Sequence, residues 1–454
     1  MRIQFHHLCA AALISLVMTG CGGGFEAPGI ESRPESAPAR SEGNRVIYEV
    51  NVYGFSETHD FKGLELQLPR LKELGVDIVW LMPIHPRGEV NKSGGLGSPY
   101  SVRDYKAIYP VYGNEEDFRS LIAATHDLGM ELWMDWVANH TSWDNAWISG
   151  HPEYYAEKNG VRPYSPPGWE DAAQLDHNCP GLVEAMADAM IYWVRDFGID
   201  GFRCDAADFV PVTFWKNLRS KVDAVRKVTW LAEGSSPENM DVFDYDYAWS
   251  LADALMSFGE DRDVQKLKDA CKALHRDATY AEKGRMTYIT NHDLNAFNQS
   301  EFRRYPDNVM PLTVLAYTIF DLPLIYNGQE IGLDQSMSFS DDVTADWSIV
   351  NSRFVELHRL LCLLKHSQPA LADGAGRGAL KIYKTNDPNL MVYSRKKGRN
   401  DILVALNLAD YAIQCRITED CPCMRYLDWM NDKIVEIDKA GFPLKEHGYA
   451  VFVR

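Results

Sequence analysis

The sequence predicts an α/β protein: a (β/α)8 TIM barrel with an insertion after the third strand, then a C-terminal antiparallel β-sandwich domain. Three features predict it. Short, nearly continuous apolar runs recur along residues 45–375, amphipathic stretches separate most of them, and the pattern changes to short alternating strands after about residue 375. Apolar strands alternating with helices belong to a parallel sheet buried on both faces. Eight such runs suggest a closed barrel with insertions. In order they are residues 45–55, 76–84, 130–137, 199–206, 228–233, 254–258, 286–293 and 322–326, the sixth being the weakest in strand character. Residues 114–128 and 182–197 carry apolar side chains at helical spacing between runs. Residues 141–180 break the rhythm after the third run; they are rich in Trp, Pro, Gly, Tyr and Asp and read as a long loop or small excursion. Long loops in compact domains are usually functional. The barrel domain is thus 45–375, insertion included, and the C-terminal β domain is 376–454, with strands expected at 380–384, 390–394, 402–408, 412–417 and 450–454. Its Tyr426 and Trp429 are expected to pack against the barrel rather than form a separate sugar platform, because the segment is short and follows without a linker.

The first residues have the form of a secretory signal, 1–20: Arg2 near the start, an apolar stretch over 8–18, then Thr19-Gly20. That stretch is too short to span a bilayer comfortably. Val17-Met18-Thr19-Gly20-Cys21 is similar to a lipobox, with Val17 for the usual Leu, so Cys21 is the expected lipidation site. The Gly-, Pro-, Ser- and Glu-rich residues 21–44 would then be a flexible tether. The expected place is the cell envelope, periplasmic or outer-membrane, with membrane contact through the lipid anchor only. Beyond Cys9 and Cys21, seven scattered cysteines form no disulfide framework; pairing among Cys415, Cys421 and Cys423 stays open.

Of 454 residues, 46% are apolar and 24% charged, which excludes a disordered or coiled-coil chain. The net charge of −18 repels phosphate backbones, so no nucleic acid is expected as a partner, while neutral ligands are not repelled. The 12 Trp and 22 Tyr can stack on sugar rings, although cores use them too.

Polar groups at the carboxyl ends of barrel strands face the active site. The third run ends Asp135-Trp136-Val137-Ala138-Asn139-His140, the fourth Arg203-Cys204-Asp205, the fifth Ala232-Glu233 and the seventh Asn291-His292-Asp293. Singly, each acid could be a helix cap or turn residue and each His a satisfied core residue. Together, three carboxylates at three strand ends converge on one mouth, a set that glycoside hydrolysis requires. Arg203, two residues before Asp205, shares its face and would hold it ionised near neutrality.

At these residues the chain resembles the α-amylase family of retaining glycosidases and transglycosidases, from about Arg45 to the C-terminus. Four motifs appear in family order around Asp135–His140, Arg203–Asp205, Glu233 and His292–Asp293; Ser98–Tyr105, Gln174–Asn178 and Leu322–Gly332 resemble three more. The resemblance implies that Asp205 is the nucleophile, Glu233 the general acid and then base, and Asp293 the stabiliser of the transition state. It implies that Arg203 orients Asp205, that His140 and His292 hydrogen-bond the sugar, and that Tyr100 stacks on it. The expected partner is an α-linked oligo- or polysaccharide, its α-glucosidic (chiefly α-1,4) bonds being cleaved with retention. A transglycosylase, an exo-acting α-glucosidase and a non-catalytic glycan-binding lipoprotein are the alternatives, with the insertion 141–180 and the loop 334–347 setting pocket depth. Many starch-acting members carry Lys-His where this chain has Asp208-Phe209, and Pro99 replaces a common Gly. No cofactor is required. A structural calcium would use Asn139 with Asp171 or Asp176, and the loss of that His weakens the site.

Overall fold

Eight parallel strands close into a barrel: β1 Ile47–Val50, β2 Ile78–Leu81, β3 Glu131–Val137, β4 Gly201–Asp205, β5 Thr229–Ala232, β6 Tyr245–Tyr247, β7 Gly284–Thr287 and β8 Leu322–Tyr326. Each pairs with its neighbours in sequence, and β1 closes on β8. The computed structural model describes residues 32–35, 43–280, 282–420 and 422–454. The expected signal, Cys21, most of the tether and Cys421 lie outside the described residues. Among those described, no helix is long and apolar enough to cross a membrane.

Every residue of β1, β2, β4, β6, β7 and β8 is buried, because helices cover the barrel outside and side chains fill it inside. Trp80, Trp133, Tyr245, Tyr247, Met286 and Leu324 are among the fillers. Two glycines make room for them. A Cβ on Gly201 would lie 2.7 Å from the Trp133 ring, and one on Gly284 would lie 2.2 Å from that of Tyr245.

Two strand expectations are corrected. Residues 254–258 are helical, within Trp249–Asp261, where Leu251, Ala254, Leu255 and Phe258 recur at helical spacing on the buried face. The true sixth strand is the three-residue β6, whose central Asp246 hides it from an apolar search. The seventh run is shorter than expected: β7 stops at Thr287, and Asn291 caps the helix His292–Asn298 by accepting from Leu294 N. The insertion holds a hairpin, His140–Ser142 against Ala172–Gln174.

After the helix Ser352–Ser367, the C-terminal strands are β9 Ala379–Ile382, β10 Leu390–Lys397, β11 Asn400–Asn407, β12 Ile413–Cys415, β13 Met424–Asp428, β14 Lys433–Ile437, β15 Phe442–Leu444 and β16 Tyr449–Val453. They form a six-stranded antiparallel sheet, β9-β10-β11-β16-β13-β14, and the pair β12-β15. Leu390, Val392, Leu403 and Phe452 of the large sheet share one core with Ile413, Cys415 and Leu444 of the small one. β13 and β14 escape the sequence reading because exposed, charged positions break their apolar runs, and β15 because it is three residues long with Pro443 exposed at its centre. Trp429 is buried with its Nε1 donating to Leu360 O, 2.9 Å, on Ser352–Ser367, whereas Tyr426 lies in the β domain's own core. Cys415 and Cys423 are both free.

Candidate active site

The register between β3 and β4 places Asp135 opposite Arg203 and Val137 opposite Asp205. Alternation then turns Asp135, Arg203 and Asp205 to one side, at the carboxyl end of the barrel. Arg203 is fully buried. Its Nη1 donates to both oxygens of Asp135, at 2.9 and 3.0 Å, and to Asp205 Oδ1 at 3.0 Å. Its Nη2 lies 2.8 Å from Glu233 Oε1, an ion-pair contact, and its Nε donates to Tyr247 Oη at 3.1 Å. The rings of Trp80 and Tyr100 stand 5.2 and 5.7 Å from the guanidinium. One cation therefore fixes three carboxylates from three strands.

Glu233 follows β5 directly, and its Oε2 accepts from Ala206 N at 2.7 Å. Ala206 has φ 48°, the left-handed region, which turns its N–H back toward the acid just after the nucleophile strand ends. Asp208 then holds the loop beyond Glu233, accepting from Ser235 N, Ser236 N and Asn239 Nδ2 at 3.0, 3.2 and 2.6 Å. Gly234 is needed there, since a Cβ would sit 2.4 Å from Asp208 Oδ1.

Tyr100, from the loop after β2, donates to Asp135 Oδ2 at 3.2 Å and lies 2.8 Å from His292 Nε2, with the two rings stacked. His292 Nδ1 contacts Glu49 Oε1 at 2.5 Å, and Asp293 Oδ2 is 3.4 Å from Nε2. Both His292 nitrogens are thus engaged, so a sugar hydroxyl would have to share Nε2 with Tyr100. His140 opens the insertion hairpin, with Nδ1 3.2 Å from Asn139 Nδ2 and its ring 5.2 Å from Trp169.

Burial sets the charges. It pushes Glu233 up to about 7 against the pull of Arg203, with Asp205 reinforcing the rise. It pushes Asp205 up to about 6, again against Arg203. The guanidinium is divided among three carboxylates and desolvation outweighs its share, yet at about 6 Asp205 remains largely ionised near neutrality. Burial likewise drives His140 down to about 4, leaving it neutral. In His292 burial opposes charge, but Asp293 and Glu49 prevail and lift it to about 9.

Asp205, Glu233, Asp293, Tyr100, His140 and His292 all line one cavity of about 820 Å³, and Arg203 lies beneath it. Sequence reasoning gave no role to Glu49, Tyr247 or Asp208, and none to Asp135 beyond its motif. The available signal was a charge at an inward-facing position inside an apolar strand, as in Glu49 and Asp135. Two of the oxygens suggested for calcium already have protein partners. Asn139 Oδ1 accepts from Gln174 Nε2 at 3.1 Å and Asp176 Oδ1 from Asn178 N at 3.0 Å. Among the described residues, no group of three His, Cys, Asp or Glu could hold a metal.

Comparison with known proteins agrees with this architecture. The model of the alpha amylase catalytic domain matches residues 39–165 and 164–359. The chain is 27% identical over 340 residues to alpha-amylase 3 of Dictyoglomus thermophilum, covering 64% of this chain and 65% of that one. It is 26% identical over 336 residues to a 4-alpha-glucanotransferase of Thermotoga neapolitana, covering 63% and 72%. It therefore spans just under two-thirds of the first relative's length. The crystal structure of an alpha-amylase from Lactobacillus plantarum superposes with a TM-score of 0.80 at 26% identity, over 90% of this chain and 99% of that chain. With the barrel, the strand-end carboxylates and a family model matched over most of its length, the chain belongs to the α-amylase family.

Proposed function

We propose that this protein cleaves α-glucosidic bonds, chiefly α-1,4, in starch-derived oligo- or polysaccharides, by double displacement with retention. Asp205 attacks the anomeric carbon as Glu233 gives its proton to the departing glycosidic oxygen. Water then attacks the same carbon, releasing Asp205 and returning a proton to Glu233. Tyr100, His140, His292 and Asp293 hold the ring being transferred. The observation that carries the reading is the guanidinium of Arg203 gripping both Asp205 and Glu233, while burial leaves Glu233 the better proton holder of the two.

Transfer to a sugar acceptor in place of water is the second reading. It is favoured by Phe209, 69% exposed beside the acid, with Trp169 edge-on to it at 5.8 Å. Nothing favours a non-catalytic role, since all three carboxylates face the same cavity. The test is the product profile from maltoheptaose, pullulan and trehalose over time. Short maltodextrins are expected, and products longer than the input would shift the reading to transfer. No turnover of any α-glucan would overturn it. Calcium is not part of the proposal: dialysis against a chelator is expected to leave activity and melting temperature unchanged, and loss of both would contradict this.

A further inference from the structure

The two ends of the cavity differ. At one end lie Glu233 and Asp208, then the exposed ring of Phe209 and the half-buried ring of Trp169. Because Glu233 protonates the departing oxygen, this end receives the leaving chain. At the other end, Tyr100 and His292 flank the transferred ring, and Phe339 meets both, edge-on to Tyr100 at 5.7 Å and tilted to His292 at 5.8 Å. Directly beyond Phe339, two loops join. Leu96 N, on the loop after β2, donates to Ser340 O at 2.8 Å, and Gly95 N donates to Asp341 Oδ1 at 3.0 Å. Buried Arg87 ties the same loops from below, its Nη1 donating to Gly97 O and Phe339 O, each at 2.8 Å. The fit is close, since a Cβ on Gly94 would lie 2.5 Å from Ser340 O, and Gly94 adopts φ 71°. Ser338 Oγ, 2.8 Å from Asp341 Oδ2, steadies the acceptor carboxylate.

We infer that this bridge closes the cavity beyond the transferred sugar, so that the enzyme works from the non-reducing chain end and removes a unit of one or two glucoses. The inference rests on the proposed glycosidase reading and specifies its substrate mode. A chain threading through the site would need space where Leu96 and Ser340 are hydrogen-bonded. A chain entering by its non-reducing end needs none, and its remainder leaves over Phe209 and Trp169.

The test uses two maltoheptaoses, one labelled at the reducing end and one blocked at the non-reducing O4 and O6, with the full chain. Early products from the first are expected to keep the label on six or five glucoses, and the second is expected to react at least about tenfold more slowly, the block being excluded by shape. Comparable rates on both, with label spread over internal lengths, would overturn the inference and leave the glycosidase reading standing. No cleavage of either, nor of shorter α-glucosides, would overturn the glycosidase reading and the inference with it. Asp341→Ala, which removes the Gly95 contact, is expected to raise the rate on the blocked substrate relative to the labelled one. An unchanged ratio would count against the bridge as the cause.

Discussion

Single residues carry the chemistry, and their environments make it testable. Replacing Asp205 with Asn, or Glu233 with Gln, should lower kcat by about a thousandfold or more with an unchanged fold. Near-normal turnover in either would remove it from the proposed mechanism. The pH profile follows from the directions of the two shifts. The acid must hold its proton, so the rate should fall as pH rises through Glu233, lifted to about 7. The nucleophile must be ionised, so the rate should also fall as pH drops through Asp205, lifted to about 6. The result is a narrow bell whose limbs belong to the coupled pair; a flat rate between pH 5 and 9 would contradict it. The reacting acids were legible because they follow apolar runs at points where a barrel opens. Glu49 and Asp135 were less so. They sit inside strands, and only the register reveals that they brace His292 and Arg203.

Strands and loops decide where those residues stand. Most of the barrel could be read from apolar runs because its strands are buried on both faces. β6 could not, being three residues long with Asp246 at its centre, while the following helix offered a more apolar decoy. Close packing inside the barrel gives a test of this layer. Gly284→Ala would press a methyl group against Tyr245 and should cost about 1–3 kcal/mol, read as a lower melting temperature; an unchanged value would mean that the ring has room to move. On the acid's loop, Asp208→Ala removes three acceptor contacts. It should lower kcat more than it raises KM, and Asp208→Asn should restore part of the loss. Equal effects of the two substitutions on stability alone would reduce Asp208 to a structural brace.

In the whole molecule, the barrel and the β domain are joined by buried polar contacts as well as by apolar packing. Arg395 of β10 donates to Ile319 O at 2.6 Å, and Trp429 reaches Leu360 O. Trp429→Ala should destabilise the chain by about 3–5 kcal/mol. The loss should appear in a single unfolding transition, and two separated transitions would show that the domains unfold independently. The existence of the second domain was legible from the change in strand style, but its sheet order was not, because β11 pairs with β16 across 41 residues of intervening chain. Anchoring by Cys21 remains a proposal of the sequence: Cys21→Ala should release soluble, active enzyme, and retention on the membrane would place the anchor elsewhere. The central claim concerns how Asp205 and Glu233 divide one reaction, and the most direct measurement is the anomeric configuration of the first product, followed by proton NMR during hydrolysis of maltoheptaose. Double displacement at Asp205 gives the α anomer before mutarotation sets in. Initial formation of the β anomer would mean single displacement by water and would contradict the assignment of Asp205 as nucleophile.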